Sequence, residues 1–337
     1  MKKHNGKWVF GVVLLGILFM VPRTLGVFNA DILVGFGINV LFAVSLNMLL
    51  TAGLFSFGHA LFYGCGAYAT ALGLFYIKGL PLLLALLLGG FASGLLGLIL
   101  SPFLVRIGGI YFTLLTIAFN ELMYGIVLKF REITGGESGF SSYSVPPLSI
   151  PGMGSFDMGD KASFYYFAIV IIVISIWLMW FLTKTPFGTV LLGIRNDPER
   201  VAYLGFWVPG TKTVIIALSG FFAGIAGSLL ALWINVVSPE SCLHLINVSI
   251  KTFLAILVGG LGTFIGPFIG IGIVHLFNEI ILNYGGIAEL FIWWIIILYL
   301  LFAARYTPWG IMGVTAKIVN RWKQTRKTEP DNRELTD

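Results

Sequence analysis

Apolar residues in this chain fall in successive runs, each about twenty long, between Trp8 and Arg305. In lipid a backbone must satisfy its own hydrogen bonds, which leaves only helices and closed barrels. The short alternating segments of a barrel are absent, and each run approaches the roughly 20 residues that a helix needs to cross hydrocarbon. The chain therefore reads as an all-α polytopic membrane protein. Composition agrees: of 337 residues 58% are hydrophobic and 11% charged, whereas a soluble domain carries roughly a quarter charged.

Runs and flanks predict about ten crossings, near residues 8–28, 32–51, 54–77, 81–104, 109–129, 163–183, 212–235, 246–261, 264–283 and 288–305. The net charge of +6 does not point to nucleic acid, because the basic residues gather in loops on one side, as positive-inside topology requires. With the N-terminus inside, Lys2, Lys3, Lys7, Arg106, Lys184, Arg195, Arg200, Lys212 and the stretch from Arg305 onward share that side. Arg23, Lys78, Lys129, Arg131, Lys161 and Lys251 are left outside. Both termini are then cytoplasmic. Residues 1–305 form the membrane domain, with an inside island at 184–211 and an outside loop at 130–162, and 306–337 form a basic tail.

The first run mimics a signal peptide, but Pro22-Arg23-Thr24 stands where small residues would precede a cleavage site, so it reads as an uncleaved span. Cys65 and Cys242 give neither a disulfide framework nor metal spacing. His275 and Glu279 share a helical face, which is two ligands and not a metal site. The 42 glycines suit close helix contact in lipid, with Gly90-x-x-x-Gly94, Gly220-x-x-x-Gly224 and Gly262-x-x-x-Gly266-x-x-x-Gly270 as examples.

Two glycine clusters interrupt the apolar pattern. One contains Gly53, Ser56, Gly58 and His59, and the other Gly259, Gly260 and Gly262. Omitting spans 1 and 6, they fall at corresponding places in two blocks of four spans, as broken helices do in transporters built from two related halves.

The island is the most charged stretch inside the membrane domain. Asp197-Pro198-Glu199 reads as a helix start, since Asp caps free N–H groups, Pro suits the first helical position and Glu complements the positive helix end. Gly205 is a natural stop. Phe187, Val190, Leu191 and Ile194 make one apolar stripe before this break, and Val201 and Leu204 a second after it. Two short helices are expected; physics alone leaves open a plain interfacial loop lying on headgroups.

Gly188-x(5)-Ile194-Arg195-Asn196-Asp197…Gly205 resembles the cytoplasmic signature of ABC importer permeases, specifically the LivM-type branched-chain amino acid permeases. Further blocks follow in family order: Leu46-Asn47…Gly53…Ser56-Phe57-Gly58-His59, Gly109-Ile110-Tyr111-Phe112 to Asn120-Glu121, and Thr134-Gly135-Gly136. Val237-Ser238-Pro239-Glu240, Val258-Gly259-Gly260-Leu261-Gly262 and Tyr306-Thr307-Pro308-Trp309-Gly310 complete the series. Departures are Thr189 where Arg is common, Asn120 where Gly is common and Trp309 where a basic residue is usual.

The resemblance implies a type II importer permease fold in the cell's inner membrane. It implies a second, related permease subunit, two cytoplasmic ATPase subunits that use ATP and Mg, and an extracytoplasmic binding protein. The island becomes the coupling segment, with Arg195, Asp197, Glu199 and Arg200 supplying charge, Leu191, Ile194 and Leu204 packing, and Gly188 and Gly205 framing it. The chain itself would hold no cofactor. It has no G-x-x-x-x-G-K-[ST] phosphate loop of its own.

Polar groups inside a bilayer are costly and are functional suspects. His59 at the glycine break either lines a path or is hydrogen-bonded between helices; Asn47 and Ser56 lie nearby. Glu121 reads as a gate, as a proton site in another transporter class, or as buried glue. Gly136-Glu137-Ser138-Gly139 matches a short intramembrane-protease pattern but lies in the outside loop. The reading is an ATP-driven importer permease for branched-chain amino acids, working by alternating access. Permeases for urea, short amides or other amino acids are the nearest alternative, and an ion-coupled secondary transporter the further one.

Overall fold

A computed structural model describes residues 27–150 and 154–282. The first expected span, Arg23, the last expected span at 288–305 and the tail lie outside the described residues. Helix α1 is Val27–Thr51, α2 Ala60–Tyr76, α3 Leu82–Leu104 and α4 Ile110–Lys129. The outside loop carries the short α5, Arg131–Thr134, then a 3-10 turn at Gly136–Ser138 and a small antiparallel ribbon of β1, Leu148–Ile150, and β2, Gly154–Phe156. After it come α6, Lys161–Lys184, α7, Pro186–Asn196, α8, Pro198–Tyr203, and α9, Val208–Ile234. The short α10, Pro239–Cys242, leads through a π-helical turn at Leu245–Ile250 into α11, Lys251–Gly259, and α12, Gly266–Leu282.

Among the described residues six helical stretches are long and apolar enough to cross a membrane: α1, α3, α4, α6, α9 and the run Pro239–Gly259. Two shorter apolar helices, Ala60–Tyr76 and Gly266–Leu276, accompany them. The ribbon departs from an all-helical expectation, and it has a simple cause. The loop lies outside the apolar runs, where turn residues release the backbone from the helix requirement of lipid.

The described residues divide into two compact units, one up to Thr252 and one from Phe253 on. In the first, α9 is the central helix, packed on α1, α2 and α3. The contacts are made by small residues. A methyl group on Gly227 would overlap the Tyr63 carbonyl, and one on Gly66 would overlap the Gly224 backbone. Gly90 and Gly94 receive the Phe221 ring and its neighbours. Where backbones come this close, hydroxyls bridge the helices: Thr70 Oγ1 donates to Ser228 Oγ at 2.7 Å and Ser93 Oγ to the Phe62 carbonyl at 2.7 Å. This is the small-residue packing that replaces the hydrophobic effect between helices in lipid.

Helix ends meet in sets. Asp31 near the start of α1 accepts from Lys161 Nζ at 3.0 Å at the start of α6 and from Trp233 Nε1 at 2.7 Å at the end of α9. An up-and-down path requires these three ends on one side. On that side Asp160 caps α6 through the backbone N–H groups of Ala162 and Ser163. Its bond from the Ser163 hydroxyl, then those from the backbone, hold its carboxyl below the usual range. The outside loop is fastened nearby, where Phe140 and Val237 exchange backbone bonds of 2.7 and 3.0 Å and Tyr143 Oη donates to the Ala231 carbonyl at 2.7 Å.

In the second unit the glycines again mark a tight hairpin. Gly259 abuts the Gly266 carbonyl and Gly270 the Ala255 carbonyl, so α11 and α12 meet backbone to backbone. Gly260 and Gly262, at φ +126° and +74°, form the turn between them.

Gly227→Ala is expected to destabilise the detergent-solubilised protein by about 1–3 kcal/mol, an overpacking cost. Gly108→Ala, at a site with open space around it, is expected to stay within about 0.5 kcal/mol. Thermal unfolding of both variants in one detergent checks this, and equal midpoints would refute the packing argument.

Candidate functional site

Both glycine clusters lie between helices and not within one, which corrects the expectation of interrupted spans. The first is the more informative. Helix α1 ends at Thr51, and the amides of Ala52, Gly53 and Leu54 fold back onto the Leu49 and Leu50 carbonyls at 3.0–3.1 Å. Gly53 takes φ +77°, a left-handed conformation that glycine adopts without a Cβ penalty. The chain then runs without helix to Ala60, where α2 begins.

A buried segment without helix must find partners for its backbone, and it finds them on other helices. Thr113 Oγ1 of α4 donates to the Phe55 carbonyl at 2.7 Å. The Gly58 amide donates to Thr116 Oγ1 at 3.4 Å, and a methyl on Gly58 would overlap the Thr116 carbonyl. The first amide of α2, at Ala60, donates to Ser249 Oγ at 2.7 Å. A hydroxyl from a distant π-helical turn thus caps α2 in place of a local residue.

His59 closes the segment and is fully buried. Its Nε2 lies 3.1 Å from Ser45 Oγ and 3.5 Å from Ser219 Oγ. Those hydroxyls already donate, Ser45 to the Phe42 carbonyl at 2.7 Å and Ser219 to the Ser45 carbonyl at 2.6 Å. The other ring nitrogen, Nδ1, has no hydrogen-bond partner among the described residues. The ring stacks on Phe42 and meets Phe62 edge-on, both at 5.4 Å between centroids. Ser56 Oγ, also fully buried, has no partner either among the described residues. Asn47 is buried in α1, close by in sequence.

The island folds as two helices, as its caps imply. Asp197 Oδ1 accepts from the Arg200 amide at 3.0 Å, and its Oδ2 lies 3.4 Å from Arg200 Nε. Gly205, at φ +87°, ends the second helix. Gly188 is buried against the Thr183 carbonyl. Arg195 brings the two sequence motifs together: a Cβ on Gly53 would stand 3.3 Å from both Cα and Cγ of Arg195. The turn that starts the break therefore rests on α7.

The apolar stripe is corrected. Leu191 and Ile194 are each 3% exposed, and Ile194 clusters with Val201, Val208 and Val190 inside the chain. An amphipathic helix beside a bundle buries its stripe on its own bundle first. The outward surface is instead Leu192, Glu199, Arg200, Tyr203, Leu204, Phe206 and Trp207, with Tyr203 at 89% and Trp207 at 76% exposure. The aromatic signal at 203–207 was readable but fell outside the periodic stripe.

Glu121 is also corrected. It is exposed on α4 and not buried as glue across the bundle. Its neighbour Asn120 is the buried one, donating through Nδ2 to the Leu243 carbonyl at 2.9 Å. Among the described residues no group of three His, Cys, Asp or Glu is placed to hold a metal ion.

The profile of the family described as "Branched-chain amino acid transport system / permease component" matches residues 28–305. The high-affinity branched-chain amino acid transport system permease protein LivM of Salmonella typhimurium is 28% identical over 302 residues, 84% of this chain and 68% of that protein. A probable branched-chain amino acid transport permease protein LivH of Methanocaldococcus jannaschii is 28% identical over 304 residues, 85% of this chain and 92% of that protein. The galactose/methyl galactoside import permease protein MglC of Escherichia coli is 27% identical over 248 residues, 67% of this chain and 70% of that protein. No solved structure matches the chain.

Removing the hydroxyls that hold the break, in Thr113→Val or Ser249→Ala, leaves the Phe55 carbonyl or the Ala60 amide unpaired and is expected to cost about 1–3 kcal/mol each. Gly53→Ala is expected to cost about 1 kcal/mol or more, because alanine is strained at this φ. Detergent unfolding midpoints measure all three, and unchanged midpoints would show that the segment is not held as described.

Proposed function

This chain belongs to the branched-chain amino acid transport system / permease component family, and from that membership we propose that it is the permease subunit of an ATP-driven importer for branched-chain amino acids. The observation that carries the reading is the contact of Gly53 with Arg195. A short helix pair outside the apolar spans touches the glycine junction that ends in the buried His59 node. A push on α7 is thereby delivered to the part of the bundle where the backbone is least regular. Alternating access follows: the helix pair is displaced by ATPase subunits, and the junction and its neighbours change packing around the passage.

The remaining assignments rest on this arrangement. Two ATPase subunits, which use ATP and Mg, dock on the exposed surface of α7 and α8. Charge is supplied by Glu199 and Arg200, and apolar contact by Leu204 with Tyr203 and Trp207, aromatic side chains of the kind that dominate interfaces. Asp197 and the buried Leu191 and Ile194 hold the helix pair in shape. Arg195 transmits its displacement to Gly53. His59 Nδ1, Ser56 and Asn47 line the polar part of the path. A binding protein delivers substrate to the 130–162 loop, whose bridge to Val237 makes it a firm platform. A second permease subunit completes the passage.

About ten spans in the inner membrane, with cytoplasmic termini, agree with the basic residues on the α7–α8 side. The two glycine junctions, Gly53–Gly58 and Gly259–Gly262, support two related halves. The branched-chain reading is favoured over a sugar because the LivM and LivH relatives match more of the chain than the galactoside permease does.

Two measurements test the proposal. Proteoliposomes holding the whole complex should accumulate leucine only with ATP inside the compartment that bathes α7 and α8; ATP-independent uptake would sink it. Replacing Tyr203 and Leu204 together by Ala should weaken ATPase co-purification by at least about tenfold with the unfolding midpoint unchanged. Leu191→Ala should instead lower stability by about 2–5 kcal/mol. If the surface pair leaves assembly intact, the docking face is elsewhere.

A further inference from the structure

The segment from Pro239 to Ile250 joins the outside loop to the glycine junction. It follows Val237, which exchanges backbone bonds with Phe140 of that loop. Three hydrogen bonds fasten it. Asn120 Nδ2 of α4 donates to the Leu243 carbonyl at 2.9 Å. The Asn247 amide donates to His244 Nδ1 at 3.1 Å, so a histidine caps the π-helical turn. Ser249 Oγ, inside that turn, accepts from the Ala60 amide at 2.7 Å and so caps α2.

The middle fastening differs in its chemistry. Serine, threonine and asparagine are common caps and do not titrate; a histidine in that place makes the cap depend on pH. A backbone amide can only donate, so Nδ1 of His244 is bare and the capping ring is neutral, with its proton on Nε2. Nε2 lies 3.7 Å from Glu240 Oε1, and the same oxygen accepts from Asn247 Nδ2 at 3.1 Å. Protonation puts a hydrogen on Nδ1, which then meets the Asn247 N–H head-on and no longer caps the turn. The same proton makes the ring a cation, which Glu240 attracts toward α10. Both effects free the turn, so the cap is held in neutral medium and lost as the pH falls.

Both side chains are partly exposed. On the elements packed against α10 and the turn, the other charged groups are Glu121 and Lys129 of α4 and Glu137 of the 3-10 turn, and Lys251 follows the turn. Tyr63 and Tyr68 of α2 and Tyr143 of the outside loop lie near Cys242, and Tyr124 of α4 lies near Glu240. Of all these residue types, histidine alone ordinarily changes charge between about pH 5 and 8.

We propose that His244 is a pH-sensitive latch on the glycine junction. Neutral, it seats the π-helical turn and with it Ser249 against the first amide of α2. Protonated from the outside, it unseats the turn, loosens the junction and slows import. As regulation of that junction, this rests on the importer reading above.

The latch is tested first without transport. In the detergent-purified protein, hydrogen exchange of residues 245–250 is measured at about pH 7.5 and about pH 5.5 and corrected for the chemical pH dependence of exchange. Protection should fall about fivefold at the lower pH, the size of one helix cap, and the Ala60 amide should follow. His244→Asn, whose side chain caps without titrating, should keep one level of protection at both pH values. Glu240→Gln should shrink the fall, because the imidazolium loses its counter-charge. In proteoliposomes holding the whole complex, acidifying the compartment that bathes the outside loop should cut leucine uptake of the parent about fivefold more than that of His244→Asn. Equal protection of the parent at both pH values, or the same fall in His244→Asn, would overturn the latch. An exchange difference without a difference in uptake between the two proteins would overturn its regulation of import. Should the Asn variant fail to fold, the parent and Glu240→Gln decide by exchange. Exchange as expected in a complex that never accumulates leucine would count against the importer reading and leave the latch standing.

Discussion

A buried amide or carbonyl left unpaired costs several kcal/mol, and residues 52–59 of this chain would leave a row of them. The architecture around them is organised by that constraint. Thr113 and Thr116 from α4, Ser249 from the π-helical turn and Gly53's fold-back onto α1 each supply a partner. Because these partners come from distant points in the chain, the break also fixes where α4 and the π-helical turn lie against α2. A helix could have satisfied the same backbone locally. The irregular segment instead makes several elements depend on one junction, and a junction held from several sides is one that several elements can move.

That dependence gives the Gly53 to Arg195 contact its meaning. Small shifts in packed interiors do not spread as gradual deformation; they switch between discrete packings. Helix α7 is held to the bundle by its own buried stripe, so it is packed as one body with α8 and not as a loose loop. At its far end the junction carries the His59 node, whose ring is fixed by two serines and two aromatic faces while Nδ1 stays open. A rigid lever, a glycine pivot and an unpaired ring nitrogen thus lie along one physical path.

Hydropathy made the helices legible because lipid enforces a single rule over each run, and the helix bounds of α1, α3, α4, α6 and α9 follow the runs within a few residues. Caps were legible for the same local reason: Asp197, Pro198 and Gly205 act through backbone groups within one turn. The direction of the island's stripe was not. Leu191 and Ile194 have the same spacing whether they pack on their own bundle or on a partner, and only the position of Val201 and Val208 decides it. The cap on α2 was hidden as well, because Ser249 lies 189 residues from Ala60. Clustered glycines announced a break but not whether it fell inside a helix or between two. The family resemblance identified the blocks; it did not say that Gly53 and Arg195 touch.

The uneven burial of the helices follows from the same chemistry. Helices α1 and α9 carry serines, glycines and alanines on several faces and are closed in by neighbours, with hydroxyls paired at each close approach. Helix α4 uses one face, through Thr113, Thr116 and Asn120, to hold the break and the Leu243 carbonyl. Its other face is open among the described residues and carries Glu121. Hydrogen bonds tie the junction to the Thr113 and Thr116 side of α4, so a change of packing at the junction would reach this helix first, because a buried carbonyl or amide cannot give up its partner without cost.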